Sequence, residues 1–248
     1  MENTVYCDCP EGFEEPGKCL LLQQALYGLR TSPLLWLKDF SKTLQDLGLE
    51  RVDEDVCLYR NSWLVVFFYV DDIVALCRTA DLPKFEQFKE ALMAKYEMRY
   101  MGNLHWFLGI RILRDRKQRK LWLCQDSYIA KIAKSFRLNY EKPAKIPMNA
   151  DHLIPYDGKA SPQQIHLYQR KVGSALYTAT ITRPDVAKSV SKLSEFLQNP
   201  SPRHLAAIDQ VISYLYGTKT LAIQFANIPE QHVFICASDA AFGDDITT

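Results

Sequence analysis

No apolar stretch in this 248-residue sequence approaches the 18 residues that a membrane-spanning helix needs. The opening segment, MENTVYCDCPEGF, has no basic stretch followed by an apolar one, so it does not read as a secretory leader. The seven cysteines (7, 9, 19, 57, 77, 124 and 236) are odd in number and lack the paired two-residue spacing and neighbouring histidines of a structural zinc site. They read as reduced thiols in an intracellular protein, cytoplasmic or nuclear. His105, His152, His166, His204 and His232 form no i, i+4 pair and share no motif with a nucleophile, so they read as packing or surface residues. Repeats and low-complexity tracts are missing, which excludes a solenoid or a disordered tail-like chain. A strong net charge is missing too, at +1 overall.

The charge that is present is unevenly placed. Residues 84–145 carry fifteen Lys and Arg against six Asp and Glu, whereas residues 1–60 carry six against eleven. A basic block of this kind is a candidate phosphate-facing surface, because counterion release favours binding there. A solvated face of Lys-rich helices accounts for the same composition equally well.

About half of the residues are apolar, so the chain can bury a sizeable core. Ser32-Pro33 followed by Leu34, Leu37, Phe40, Leu44 and Leu47 predicts a capped helix stopped by Gly48. A strand is expected at 56–60. WLVVFFYV (63–70) and IVALC (73–77) predict two strands joined by an Asp71-Asp72 loop. Asp81 and Pro83 open a second helix with Phe85, Phe88, Leu92 and Tyr96 on one face. WFLGIRIL (106–113), the basic turn RDRKQRK (114–120) and LWLCQ (121–125) predict a second hairpin, followed by a basic helix at 126–136. Turn signals at Pro143, Pro147, Pro155, Gly158 and Pro162 place a boundary or long connection over 143–165. Helices are expected at 183–198 and 205–218, and strand character returns at 221–226 and 232–242. Helices mixed with antiparallel hairpins indicate an α+β class.

The adjacent acids Asp71 and Asp72 stand out within an apolar run. Two carboxylates about 4 Å apart repel by about 4 kcal/mol at an effective dielectric of about 20, so a semi-buried pair needs a positive partner. Mg²⁺ suits acids at a bend, because it uses one or two carboxylates and keeps several waters. Two such ions clamp the attacking and leaving oxygens of phosphoryl transfer, which points to nucleotidyl transfer. Ordinary turn chemistry also favours Asp at such a place.

Tyr69-Val70-Asp71-Asp72 resembles the YVDD signature of reverse transcriptases, and the surrounding segments resemble the copia-type LTR retrotransposon group. The matching segments are PEGF (10–13), ALYGLRTSPLLW (25–36), MGNLHWFLGIRI (101–112), LCQDSYIAKIAKSF (123–136), VGSALYTATITRPD (172–185), HLAAIDQVISYLYGT (204–218) and Ser238-Asp239-Ala240. They occur in order, nearly end to end. The resemblance implies a partial palm with an antiparallel sheet over 1–101, a primer-grip hairpin and thumb over 102–160, a helical connection over 161–225, and the start of ribonuclease H over 226–248. It implies Asp71 and Asp72 as catalytic metal ligands for Mg²⁺ or Mn²⁺. Tyr69 and Val70 would lie near the primer end and the templating pair, with Gly28, Arg30, Arg111, Arg114 and Lys117 near nucleotide or nucleic acid. Asp239 would be a ribonuclease H remnant. The implied partners are an RNA or DNA template-primer and deoxynucleotides, with no membrane. Thr182 to Asp185 satisfies helix-start rules without any ligand and is expected to be structural.

The chain departs from this family in one respect that bears on chemistry. The family's third carboxylate sits on a DVKTAFLNG-like strand ahead of PEGF, and no Asp in residues 1–10 has that flanking pattern. The expectation is therefore a truncated polymerase without activity of its own, weakly metal-binding, with a nucleic-acid-binding remnant as the alternative. One ribonuclease H acid cannot hold two ions, so no nuclease activity is expected.

Overall fold

The computed structural model describes residues 4–138, 141–149 and 153–226. The chain divides into two compact units, residues 1–102 and 103–248. Both mix helices with antiparallel strands, so the class is α+β.

In the first unit, strands β1 (Tyr6–Cys7) and β2 (Leu20–Leu21) form a small antiparallel pair. Helix α1 (Ser32–Asp46) has Pro33 in its first turn, where a missing N–H costs nothing. Ser32 does not cap it as expected. Its hydroxyl instead donates to the Leu26 carbonyl at 2.6 Å, which ties the preceding turn to the helix start. Gly48 ends the helix at φ +81°, the left-handed position that a side chain would strain.

Strands β3 (Glu50–Val52), β4 (Asp55–Arg60), β5 (Leu64–Tyr69) and β6 (Asp72–Cys77) follow as an antiparallel sheet in that order. Asn61 accepts backbone N–H bonds from Trp63 and Leu64 to turn β4 into β5. Helix α2 (Leu82–Lys95) comes after a 3₁₀ turn at Thr79–Asp81.

The two-residue alternation of β5 sends Leu64, Val66 and Phe68 into the core, and pairing sets Cys77, Ala75 and Ile73 beside them on the same face. Phe40 and Leu44 of α1 and Phe88 and Leu92 of α2 cover that face. The Phe40 ring meets Phe68 edge-on at 4.8 Å and stacks on Trp36 at 5.1 Å. Each fully buried side chain of this size contributes about 2–3 kcal/mol.

The second unit begins with β7 (Trp106–Phe107), β8 (Ile110–Asp115) and β9 (Lys120–Cys124). The single strand expected at 106–113 is broken at Leu108-Gly109. Both residues take positive φ, 50° and 78°, and turn β7 back onto β8 as a tight hairpin with Phe107 opposite Ile110. Helix α3 (Asp126–Ser135) follows, and then α4 (Pro162–Ile181), the longest helix among the described residues, which was expected only as part of a helical connection and not placed individually. Its sequence signal was the capping box Ser161-Pro-Gln-Gln164, whose two reciprocal bonds both form.

The helix expected over 183–198 is a 3₁₀ turn at Pro184–Val186 and a short α5 (Ala187–Ser194). Helix α6 (Pro202–Gly217) and β10 (Ile223–Ala226) complete the described chain, and β10 joins β9 to give the order β10-β9-β8-β7. Ile129, Tyr168, Val172, Val190, Ile208 and Ile212 lie at the centre of the helical core. The strand expected at 232–242 lies outside the described residues.

Candidate functional site

The acids lie at the tip of the β5–β6 hairpin, with the loop displaced by one residue from the expected one. Tyr69 pairs with Asp72, so Val70 and Asp71 form the loop and Asp72 opens β6. This register sets Phe68 against Ile73 and Leu64 against Cys77 over six pairs. Because Ile73 faces the core, Asp72 lies on the opposite face of the sheet, beside Tyr69.

The expectation of a semi-buried acid pair is corrected by this geometry: both carboxylates are exposed. Water therefore screens their repulsion. Among the described residues neither side chain has a hydrogen-bond or ion-pair partner.

The tip is nonetheless tightly held. Val70 has φ +55°, a left-handed conformation that costs a β-branched residue about 1–2 kcal/mol. The Trp36 indole N–H donates to the Val70 carbonyl at 2.5 Å, across 34 positions of sequence. Trp36 is itself held by Phe40 and by the edge of Tyr96 at 5.4 Å. The Tyr96 hydroxyl is pushed up to about 12 by burial and by its bond to Asp39, and it bridges Asp39 and Thr43 of α1. Tyr69 and Val70 remain 58% and 43% exposed beside the acids. The arrangement presents two exposed carboxylates and an open aromatic ring on a braced turn. Trp36 was not singled out from the sequence, although it closes the ALYGLRTSPLLW segment.

The other sequence-selected residues are placed elsewhere. Gly28 is exposed at φ +98°, and a Cβ there would meet nothing within 4 Å, so its backbone angle alone requires glycine. Arg30 is exposed two residues on. In the second unit Arg111 bonds Asp126 at 2.7 Å and lies over the Trp106 ring at 5.8 Å, so its guanidinium is already engaged. Arg114 and Lys117 are exposed on β8 and its turn. Asp239 lies outside the described residues.

Thr182 and Arg183 pack inward, while Pro184 and Asp185 stay exposed. Arg183 is 1% exposed, makes two bonds to Asp185 at 2.7 and 2.9 Å, and donates to the Thr218 carbonyl and hydroxyl. Burial alone would push the Asp185 carboxyl up. The bonds from Arg183 and Tyr214 outweigh it and hold the group below its ordinary value. Among the described residues no three His, Cys, Asp or Glu side chains are grouped to hold a metal ion.

The family model for "Reverse transcriptase (RNA-dependent DNA polymerase)" matches residues 1–150. The chain belongs to the reverse transcriptase family, on the side of copia-type retrotransposons. It is 32% identical over 234 residues to the retrovirus-related Pol polyprotein from transposon TNT 1-94 of Nicotiana tabacum, covering 88% of this chain and 17% of that polyprotein. It is 31% identical over 233 residues to a transposon Ty5-1 protein of Saccharomyces cerevisiae, covering 91% of this chain and 74% of that protein. Against the Pol polyprotein from transposon RE1 of Arabidopsis thaliana it is 29% identical over 255 residues, covering 99% and 17%. No solved structure matches. The chain thus spans about a sixth of the two Pol polyproteins. No helix among the described residues is long and apolar enough to cross a membrane.

Proposed function

We propose that these residues are part of an RNA-directed DNA polymerase of a copia-type retrotransposon, with Asp71 and Asp72 as metal ligands for nucleotidyl transfer. The observation that carries this reading is the exposed acid pair on the Trp36-braced hairpin, in a chain of reverse transcriptase descent. Two adjacent carboxylates without protein partners fit Mg²⁺ or Mn²⁺, which take oxygen ligands and keep waters and substrate phosphates. When bound, such ions neutralise charge on the attacking and leaving oxygens of the primer and the deoxynucleotide. The chain's own part is to hold the two carboxylates at a fixed bend and to offer Tyr69 as an exposed face beside the primer end. Residues 1–101 would then be palm, 102–160 primer grip and thumb, 161–225 connection, and the remainder the start of ribonuclease H.

Two carboxylates are one short of the three that this chemistry uses. The 248 residues by themselves are therefore proposed to bind the ion weakly and to leave a primer unextended. Paramagnetic broadening by Mn²⁺ of backbone amides, paired with primer extension on an RNA template, tests both parts. The expected result is broadening centred on 69–72 that Asp71→Asn removes, and no extended product. Product lost in Asp71→Asn would overturn the inactivity, and product or broadening indifferent to Asp71→Asn would overturn the site.

The exposed Arg114, Arg116, Lys117 and Arg119 around the β8–β9 turn favour a second reading, binding of nucleic acid without chemistry. It predicts affinity that falls steeply with salt and weakens on charge reversal there.

A further inference from the structure

Four polar side chains of the first unit join the end of α2 to the middle of α1. The Lys95 ammonium bonds the Thr43 hydroxyl, the Thr43 and Tyr96 hydroxyls lie 2.6 Å apart, and the Tyr96 hydroxyl lies 2.6 Å from Asp39 Oδ2. The two ends fix the direction of donation. An ammonium only donates and a carboxylate only accepts, so with one proton on each hydroxyl Lys95 donates to Thr43, Thr43 to Tyr96, and Tyr96 to Asp39. The Asp39 carbonyl, 3.1 Å from the Thr43 hydroxyl, is the more distant acceptor. The Tyr96 hydroxyl agrees with this order: burial and the bond to Asp39 push it up, and Thr43, as a donor to its oxygen, pushes it down. Thr43 is 4% exposed, whereas Lys95 and Asp39 stand at the surface. A run of bonds that begins on a cation and ends on a carboxylate is reinforced at every step.

What these bonds immobilise is the Tyr96 ring. Its backbone has already left α2 for an extended conformation, φ −125° and ψ 142°, so the helix no longer fixes it and the hydroxyl must. The ring meets Trp36 edge-on at 5.4 Å and 75°, and Phe40, fully buried, stacks on the same indole at 5.1 Å and 11°. A face and an edge together confine the indole, and its N–H is held on the Val70 carbonyl.

We propose that Tyr96 is a positioning residue for the turn that carries Asp71 and Asp72: its bond to Asp39 sets the Trp36 ring, and the Trp36 N–H sets the turn. The consequence for metal binding rests on the role proposed above for the two acids, and the consequence for the turn does not. Val70 is held in a left-handed conformation that a β-branched residue leaves readily once its carbonyl is released. Loss of the Tyr96 anchor therefore reaches acids that Tyr96 does not touch.

Hydrogen exchange of the Trp36 indole N–H and of the 69–72 amides, followed by NMR on the 248-residue chain without metal, is the test. Tyr96→Phe keeps the ring and removes the hydroxyl; it should speed exchange at both places about fivefold and leave a cooperative melt. Asp39→Ala should do the same, and Asp39→Asn, whose side-chain carbonyl still accepts the Tyr96 hydroxyl, should recover most of the protection. Leu92→Val weakens the same core without removing any of these bonds, and it should speed exchange at the turn no more than elsewhere in the sheet. Exchange unchanged in Tyr96→Phe overturns the proposal, as does Leu92→Val matching it or Asp39→Asn behaving as Asp39→Ala. Mn²⁺ broadening of 69–72 should weaken in Tyr96→Phe. Broadening absent from the parent chain counts against the metal role of the acids, while the metal-free exchange still decides the role of Tyr96.

Discussion

Two tetrapeptides, Tyr69-Val70-Asp71-Asp72 and Thr182-Arg183-Pro184-Asp185, each place acidic charge at a break in regular structure, yet the fold treats them oppositely. In the second unit Asp185 is matched by a buried guanidinium and a tyrosine hydroxyl, and Thr182 donates to buried Gln125 at 2.8 Å. In the first unit the carboxylates have no protein partner among the described residues, and the bracing reaches only the backbone, through Trp36 and Val70. Charge matched internally specifies packing. Charge left exposed on a braced turn is available to something outside the chain.

The sharpest way to break this comparison is replacement of the charges themselves. Arg183→Met leaves exposed Asp185 and the Thr218 carbonyl and hydroxyl without their buried partner and should cost about 2 kcal/mol in urea denaturation. Asp71→Asn and Asp72→Asn should each shift the same curve by less than about 0.5 kcal/mol. Comparable losses in all three would collapse the distinction.

A smaller effect is expected of the brace. Trp36→Phe keeps the ring stack on Phe40 and removes the indole N–H, so it should lose about 1 kcal/mol and speed amide exchange at 69–72. If exchange there is unchanged, Trp36 is packing and not a brace. Val70→Asn tests the cost of holding the tip: asparagine accepts the left-handed conformation more readily, and a gain of about 0.5 kcal/mol is expected in the same melt.

The smallest effect is a pH dependence in the second unit. His204 stands third in the α6 capping box, where its Nδ1 accepts the Ser201 N–H at 3.0 Å and its Nε2 faces the Ile154 carbonyl at 3.1 Å. Burial lowers its tendency to protonate, Arg203 adds to this, and the Ile154 carbonyl opposes it. A depressed folded-state value means that its contribution is complete above the unfolded value near pH 6.5 and is lost as pH falls through it. Melts between about pH 7.5 and about pH 5.5 should show that loss, and His204→Gln should flatten it while keeping the cap that Gln164 makes in α4. A pH profile unchanged by His204→Gln would show that the histidine stays neutral throughout.

Much of the first unit was legible, because its period-2 strands and the Pro-started, Gly-stopped α1 carry local signals strong enough to survive tertiary packing. The hairpin was placed to within one residue, and the error mattered: taking both acids as the loop made them a semi-buried pair, whereas Val70 in the left-handed conformation moves Asp72 into the strand. The break at Leu108-Gly109 was hidden because leucine gives no warning of positive φ. The 20-residue α4 was not delimited within the expected helical connection because its capping box was passed over and its Val172–Asp185 stretch was taken as a motif. His204 was read as packing, and its capping role depends on which atoms surround it.

Residue order alone determined the α+β class, the family and the acid pair, since periodicity, turn chemistry and motif spacing are properties of neighbours along the chain. Only the tertiary structure decided that Trp36 holds the Val70 carbonyl and that both carboxylates face water. Those facts arise between groups far apart in sequence, where register and packing, not local preference, set the distances.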